Sequence, residues 1–125
     1  MNIFVYVFFS CLSLFNLYHI QDIDKSVLSA LKSSDAKTLS KYFNSSVKVS
    51  IHRDDLIANK FQAELILLDY LSDNKLANIR QVSAKMEGTS SFLIYEATAH
   101  KKRVRIFFKI VKLKNNEVIS ELRVE

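Results

Sequence analysis

Asn59-Lys60-Phe61-Gln62-Ala63-Glu64-Leu65-Ile66-Leu67-Leu68-Asp69-Tyr70-Leu71 is the longest helical pattern beyond the first twenty residues of this chain. Phe61, Leu65 and Leu68 recur at i, i+4 and i+7, the spacing of one helix face. The other side is apolar as well, through Ala63, Ile66, Leu67 and Tyr70. Polar residues keep to two flanks, Lys60 and Glu64 on one, Gln62 and Asp69 on the other. A helix this apolar must be covered on more than one side. The pattern therefore predicts a central helix held between a curved sheet and other helices, with Phe61, Leu65 and Leu68 buried against the sheet. Asn59 is its expected cap, and Ser72-Asp73-Asn74-Lys75 its end.

The 125 residues suffice for one domain with a modest core. One Gly and no Pro leave no room for a Gly-rich phosphate loop or a Pro-rich docking segment. A single Cys excludes an intrachain disulfide and a cysteine zinc site. The net charge of +5 permits an anionic partner without demanding one.

Met1–Ile20 carries no charged side chain and is dominated by apolar residues, and polarity changes abruptly at Gln21-Asp22. Residues 1–20 read as a secretory signal peptide, with a membrane anchor as the alternative, and residues 21–125 as one domain. The expected location is accordingly the periplasm or the extracellular space. Cys11, after Phe8-Phe9-Ser10, makes a partial lipobox that would tether the chain by lipid instead.

Two short helices should follow Asp22. Asp22 or Asp24 caps the first, with Val27, Leu28 and Leu31 inward, and Ser33-Ser34-Asp35 starts the second, with Leu39, Tyr42 and Phe43 inward. Asn44-Ser45-Ser46 reads as a turn. Val47, Val49 and Ile51 alternate with polar residues as a half-buried strand, and Arg53-Asp54-Asp55 reads as the lead into the central helix. Four strand patterns complete the chain, over Ile79–Met86, Phe92–Ala99, Arg103–Lys112 and Val118–Val124, with turns near Gly88, His100 and Asn115-Asn116. Helices followed by an antiparallel meander is an α+β arrangement.

In this order the chain resembles the nuclear transport factor 2-like, or cystatin-like, cone, in which a curved sheet wraps a long helix and often encloses a cavity. It is similar, more narrowly, to a family of small exported Gram-negative bacterial proteins of unknown function. The likeness is carried by Ala30 to Lys37 with Leu39, Tyr42-Phe43 and Val47. It is carried also by Lys60-x-Gln62-Ala63-Glu64-x-Ile66-Leu67 with Asp69-Tyr70-Leu71, and by Val104-Arg105 with Glu121 to Glu125. Family members tend to have Gly after the Tyr/Ile run of the second meander strand; this chain has Glu96. The resemblance implies no catalytic residues.

Enzymes of the same superfamily work inside the cone with a carboxylate base and hydroxyl donors, which singles out Asp69, Gln62, Tyr70, Tyr95 and His52. Gln62, Asp69 and Tyr95 are the candidate ligand-binding residues; the competing reading makes Gln62 a brace and pairs Asp69 with a nearby Lys. Lys101, Lys102, Arg103, Arg105, Lys109, Lys112 and Lys114 make the third meander strand basic. Arg103, Arg105 and Lys109 share a face with Phe107, so an anion could bind there, although a solvated sheet face explains the same pattern. His19, His52 and His100 lack the spacing of a metal site. No cofactor and no metal are expected. The expected function is non-catalytic binding of a partner protein or a small apolar ligand in or near the cone, with homodimerisation through the sheet as a further expectation. The alternatives are a lyase- or isomerase-type enzyme using a cavity carboxylate, and a binder of anionic polymer through the basic strand. Contact with a membrane is expected only through the N-terminal segment, and contact with nucleic acid is not expected.

Overall fold

The structure, a computed structural model, describes residues 23–125. The signal-peptide reading of residues 1–20, and Cys11 within it, lie outside the described residues. The element order is α1 (Ile23–Lys32), α2 (Ala36–Ser40), β1 (Phe43–Ile51), β2 (Asp54–Asn59), α3 (Lys60–Asp73), β3 (Ala77–Glu87), β4 (Ser90–Ala99), β5 (Lys102–Leu113) and β6 (Asn116–Val124). The strands form one six-stranded curved sheet in the order β2-β1-β6-β5-β4-β3. Neighbours are antiparallel except β1 and β6, which are parallel and bring the first strand beside the last. Register shifts in β3 and between β5 and β6 mark bulges, which bend and twist a sheet.

The four meander strands lie where the alternating patterns predicted them. In β5, Val104, Ile106, Phe108 and Ile110 are buried, and Arg103, Arg105, Phe107 and Lys109 occupy the other face. The inner face continues through Leu93 and Tyr95 of β4 and Ile119, Leu122 and Val124 of β6, and the three helices close over it. α1 contributes Val27, Ala30 and Leu31 to this core and α2 contributes Ala36 and Leu39. Asp35 caps α2: its carboxylate accepts from the Thr38 N–H at 3.0 Å and from the Thr38 hydroxyl, and these bonds hold its carboxyl below the ordinary value.

Three local expectations are corrected. α2 ends at Ser40, so Phe43 opens β1 rather than closing a helix, and Asn44-Ser45-Ser46 belongs to that strand. Residues 54–59 form the edge strand β2 instead of a lead-in. The β1–β2 turn is His52-Arg53, both with positive φ, so a tight hairpin is made without the Asn-Gly that usually announces it.

The third correction concerns the central helix. α3 is capped as expected: Asn59 Oδ1 accepts from the Gln62 N–H at 2.8 Å, and Gln62 Oε1 accepts from the Asn59 N–H at 3.1 Å. Its orientation is the reverse of the expectation. Ala63, Leu67, Tyr70 and Leu71 are buried, whereas Phe61, Leu65 and Leu68 are 66%, 47% and 47% exposed. The helix rests against α2, β1 and β2, and the small Ala63 allows that close approach.

Candidate functional site: a lysine-rimmed cleft on the inner face

At the sheet end where β3 turns into β4 and β5 into β6, the helices do not fill the concave face. An open cleft of about 950 Å³ remains there. Buried Phe43, Leu93 and Ile110 and half-buried Ile23, Tyr42 and Val118 give it an apolar floor. Exposed Lys41, Lys60, Lys85 and Lys112 stand around it, against two acids, Asp24 and Glu117. Each lysine has a structural reason for its place. Lys41 is the C-cap residue of α2 and Lys60 the first residue of α3. Lys112, next to the last residue of β5, stands opposite Glu117, and Lys85, on β3, pairs with Glu87 at 3.5 Å. Lys41 and Lys60 form no ion pair among the described residues. The cleft therefore joins an apolar floor to a polar rim that includes Ser91, Asn115 and Asn116 and two lysines free of ion pairs, a character that suits an elongated apolar molecule with an anionic end.

None of the candidate site residues Gln62, Asp69, Tyr95, Arg103, Arg105 and Lys109 lines this cleft; of the basic strand, Lys112 reaches it. Gln62 is exposed and engaged in the helix cap. Asp69 is exposed on the outer side of α3 and forms no ion pair among the described residues, so the expected lysine partner is not there. Tyr95 is fully buried beneath α1. Its hydroxyl donates to the Asp24 carbonyl at 3.1 Å, and its ring meets Phe108 edge-on at 5.8 Å. Burial, with the nearby Asp24 charge, pushes its phenol well above the ordinary value, so it stays protonated as a brace between sheet and helix. Tyr70 is also buried, its ring 6.0 Å from His52, and its hydroxyl has no partner among the described residues. His52 belongs to a separate polar hollow with Ser50, Arg53, Asp55, Arg123 and Glu125.

The basic strand is answered by acids on its neighbours. Glu96, 8% exposed on the outer sheet face, receives Arg80 at 2.9 Å and Arg105 at 3.1 Å. The hydrogen bond from Arg80 leads the influences that hold its carboxyl below the ordinary value, with that from Arg105 adding to it. Lys109 stands in register with Glu121, which also pairs with Arg123 at 3.1 Å. Arg103, Arg105 and Lys109 thus share a face, as expected, but the face alternates in sign. Among the described residues no group of three or more His, Cys, Asp or Glu side chains could hold a metal ion, and no helix is long and apolar enough to cross a membrane.

The cleft was not legible in the sequence because its lining comes from α1, the link between α2 and β1, β1, α3 and all four meander strands. The one available signal was Lys112, which falls at an inward position of β5 where Val104, Ile106, Phe108 and Ile110 are apolar.

A curved sheet closed by helices on one face, with an opening at one end, defines a nuclear transport factor 2-like, cystatin-like cone. A family model for a domain of unknown function (DUF4783) matches residues 24–125, and the chain belongs to that family. It is similar to a DUF4783 family protein from Bacteroides uniformis, at 22% identity over 83% of this chain and 96% of that one, with a TM-score of 0.77. A DUF4783 family protein from Bacteroides fragilis matches at 23% identity over 79% and 93% of the two chains, with a TM-score of 0.73. An NTF-2 like protein of unknown function from Silicibacter pomeroyi shares the fold more distantly, at 14% identity over 81% and 87%, with a TM-score of 0.59. No curated protein matches.

Proposed function

We propose that this protein is an exported, non-catalytic binding domain that takes a small ligand with an apolar body and an anionic end into the cleft on its inner face. The observation that carries this reading is the combination of an apolar floor with Lys41 and Lys60, neither in an ion pair among the described residues, at its mouth. Apolar burial supplies affinity in such a site, and the lysines fix which end of the ligand stays at the mouth. The alternative of a cavity carboxylate loses its base, because Asp69 is on the outer side of α3. The anionic-polymer alternative loses its uniform stripe to Glu96 and Glu121. Export rests on the uncharged apolar run before Gln21.

The test is calorimetric titration with dodecanoate and with dodecanol, on the protein and on Lys41→Glu/Lys60→Glu. Lys60→Glu suits the helix start, where a carboxylate meets the positive end of the macrodipole, so folding should be kept. Dodecanoate should bind saturably and lose at least about tenfold in the variant, roughly the 1.4 kcal/mol expected for removing a close charge contact. Dodecanol should be much less affected. No saturable binding of either compound, or binding indifferent to both lysines, overturns the reading.

A further inference from the structure

The outer side of α3 carries Phe61, Leu65 and Leu68 in one row, 66%, 47% and 47% exposed. Beside them, within about 60° of Leu65 around a helix of 3.6 residues per turn, lie Gln62, Asp69 and Ser72. We propose that this face is the contact between two copies of the chain, packed as an antiparallel pair of α3 helices about a two-fold axis beside Leu65.

The spacing of the residues is what selects a second copy as the partner. An axis beside Leu65 sets Phe61 against Leu68 of the second copy and Leu65 against its own equivalent. The same axis, with no further adjustment, sets Gln62 against Asp69 of the second copy. One symmetry operation therefore satisfies both the apolar row and the polar flank, as a self-complementary two-fold interface requires. The chemistry of the polar pair fits. Gln62 Oε1 already accepts from the Asn59 N–H, so the group Gln62 has left to offer is its amide NH₂, a donor, and Asp69 is an acceptor without an ion pair among the described residues.

Helix electrostatics point the same way. α3 has no acidic residue in its first turn and no basic residue in its last, and Asp69 and Asp73 lie toward its negative end. That placement is unfavourable for the helix alone. An antiparallel second copy brings its own positive helix start alongside these carboxylates. Three large side chains and their flanks on a helix of about 21 Å make a small interface, at the low end for specific complexes, so the expected dimer is weak.

The experiment is sedimentation equilibrium across about 1 to 500 µM on the protein as its host produces it. The parent should pass from monomer to dimer over this range, and Leu65→Glu should stay monomeric throughout, with circular dichroism showing an intact fold. Gln62→Glu keeps the helix cap but opposes two carboxylates across the contact, so it should weaken the dimer by at least about tenfold. Gln62→Glu/Asp69→Lys, which restores opposite charges, should recover it. A parent that remains monomeric at 500 µM overturns the proposal. So does a dimer that Leu65→Glu leaves intact, since its contact would lie elsewhere, the outer sheet face included. So does a Gln62→Glu defect that Asp69→Lys fails to repair.

Discussion

Two leucines two residues apart on α3 should respond differently to the same truncation. Leu67 is 1% exposed within the core and Leu65 is 47% exposed on the outer side. Leu→Ala removes three carbon groups, worth roughly 2.4 kcal/mol of transfer free energy when fully buried. At Leu67 the surrounding Leu71, Tyr70 and sheet residues cannot all collapse into the gap, and a cavity term of about 1 kcal/mol adds to the loss. Leu67→Ala should therefore cost about 3 to 4 kcal/mol. At Leu65 half of the transfer term is already forgone, water fills the space left, and Ala is the better helix former, so the cost should stay at or below about 1 kcal/mol. Urea unfolding near 1 µM, below the dimerisation range, measures both values without a contribution from association. In a thermal scan the difference should exceed about 10 °C for a domain of this size. Equal losses, or a larger loss at Leu65, would mean that α3 presents its Phe61-Leu65-Leu68 row to the core, and the cleft and the dimer would both have to be abandoned.

Tyr95→Phe should cost about 1 kcal/mol because it removes the bond to the Asp24 carbonyl, whereas Tyr70→Phe should be neutral or stabilising because the hydroxyl it removes is buried without a partner; urea titration of the two variants separates them. Glu96 has a depressed folded-state carboxyl, so its contribution to stability is complete above its unfolded value of about 4.3 and is lost as pH falls through the lower folded value. Glu96→Gln should accordingly flatten the acid limb of a stability–pH profile below about pH 4.3 relative to the parent. Asn59→Ala should cost about 1 kcal/mol through loss of the α3 cap, read by thermal melting. N-terminal sequencing of the protein from its own host should show roughly the first twenty residues removed; an intact Met1 in a soluble cytoplasmic fraction would refute export.

Alternation carried the fold. In β5 one face is buried and the other is not, so a period of two appears in the residues themselves; β4 departs from it at Glu96, buried on the outer face, and β6 once, where the bulge against β5 sets buried Ile119 and Leu122 three apart. The edge strand β2 shows no such period, because five of its six positions are exposed and only Ala58 is buried. Its turn was equally silent: His52 and Arg53 adopt positive φ, and neither is the Asn or Gly that usually marks such a turn. Glu96 carries no mark in the sequence beyond its place among the apolar residues of β4. Its partners, 16 residues before it in Arg80 and 9 after it in Arg105, are brought together by strand pairing alone.

For α3 the information was present but lay in the polar residues. Its apolar side chains surround the helix and cannot say which side faces the core. The sector around Ala63, Leu67 and Tyr70, however, contains between Lys60 and Asn74, at the ends of the helix, no charged or amide side chain, its one polar group being the Tyr70 hydroxyl. The sector around Leu65 holds Gln62, Asp69 and Ser72, and none of them has a partner deep in the molecule. A carboxylate and an amide on the buried side would each require a bond or incur a desolvation cost of a few kcal/mol. An exposed leucine loses only part of its transfer free energy. The cheaper arrangement buries the sector without a charge or an amide, at the cost of one unpartnered hydroxyl on Tyr70, and leaves the Phe61-Leu65-Leu68 row outside. That row is then too apolar to be indifferent to its surroundings, and its two-fold match to itself gives the exposed face a partner.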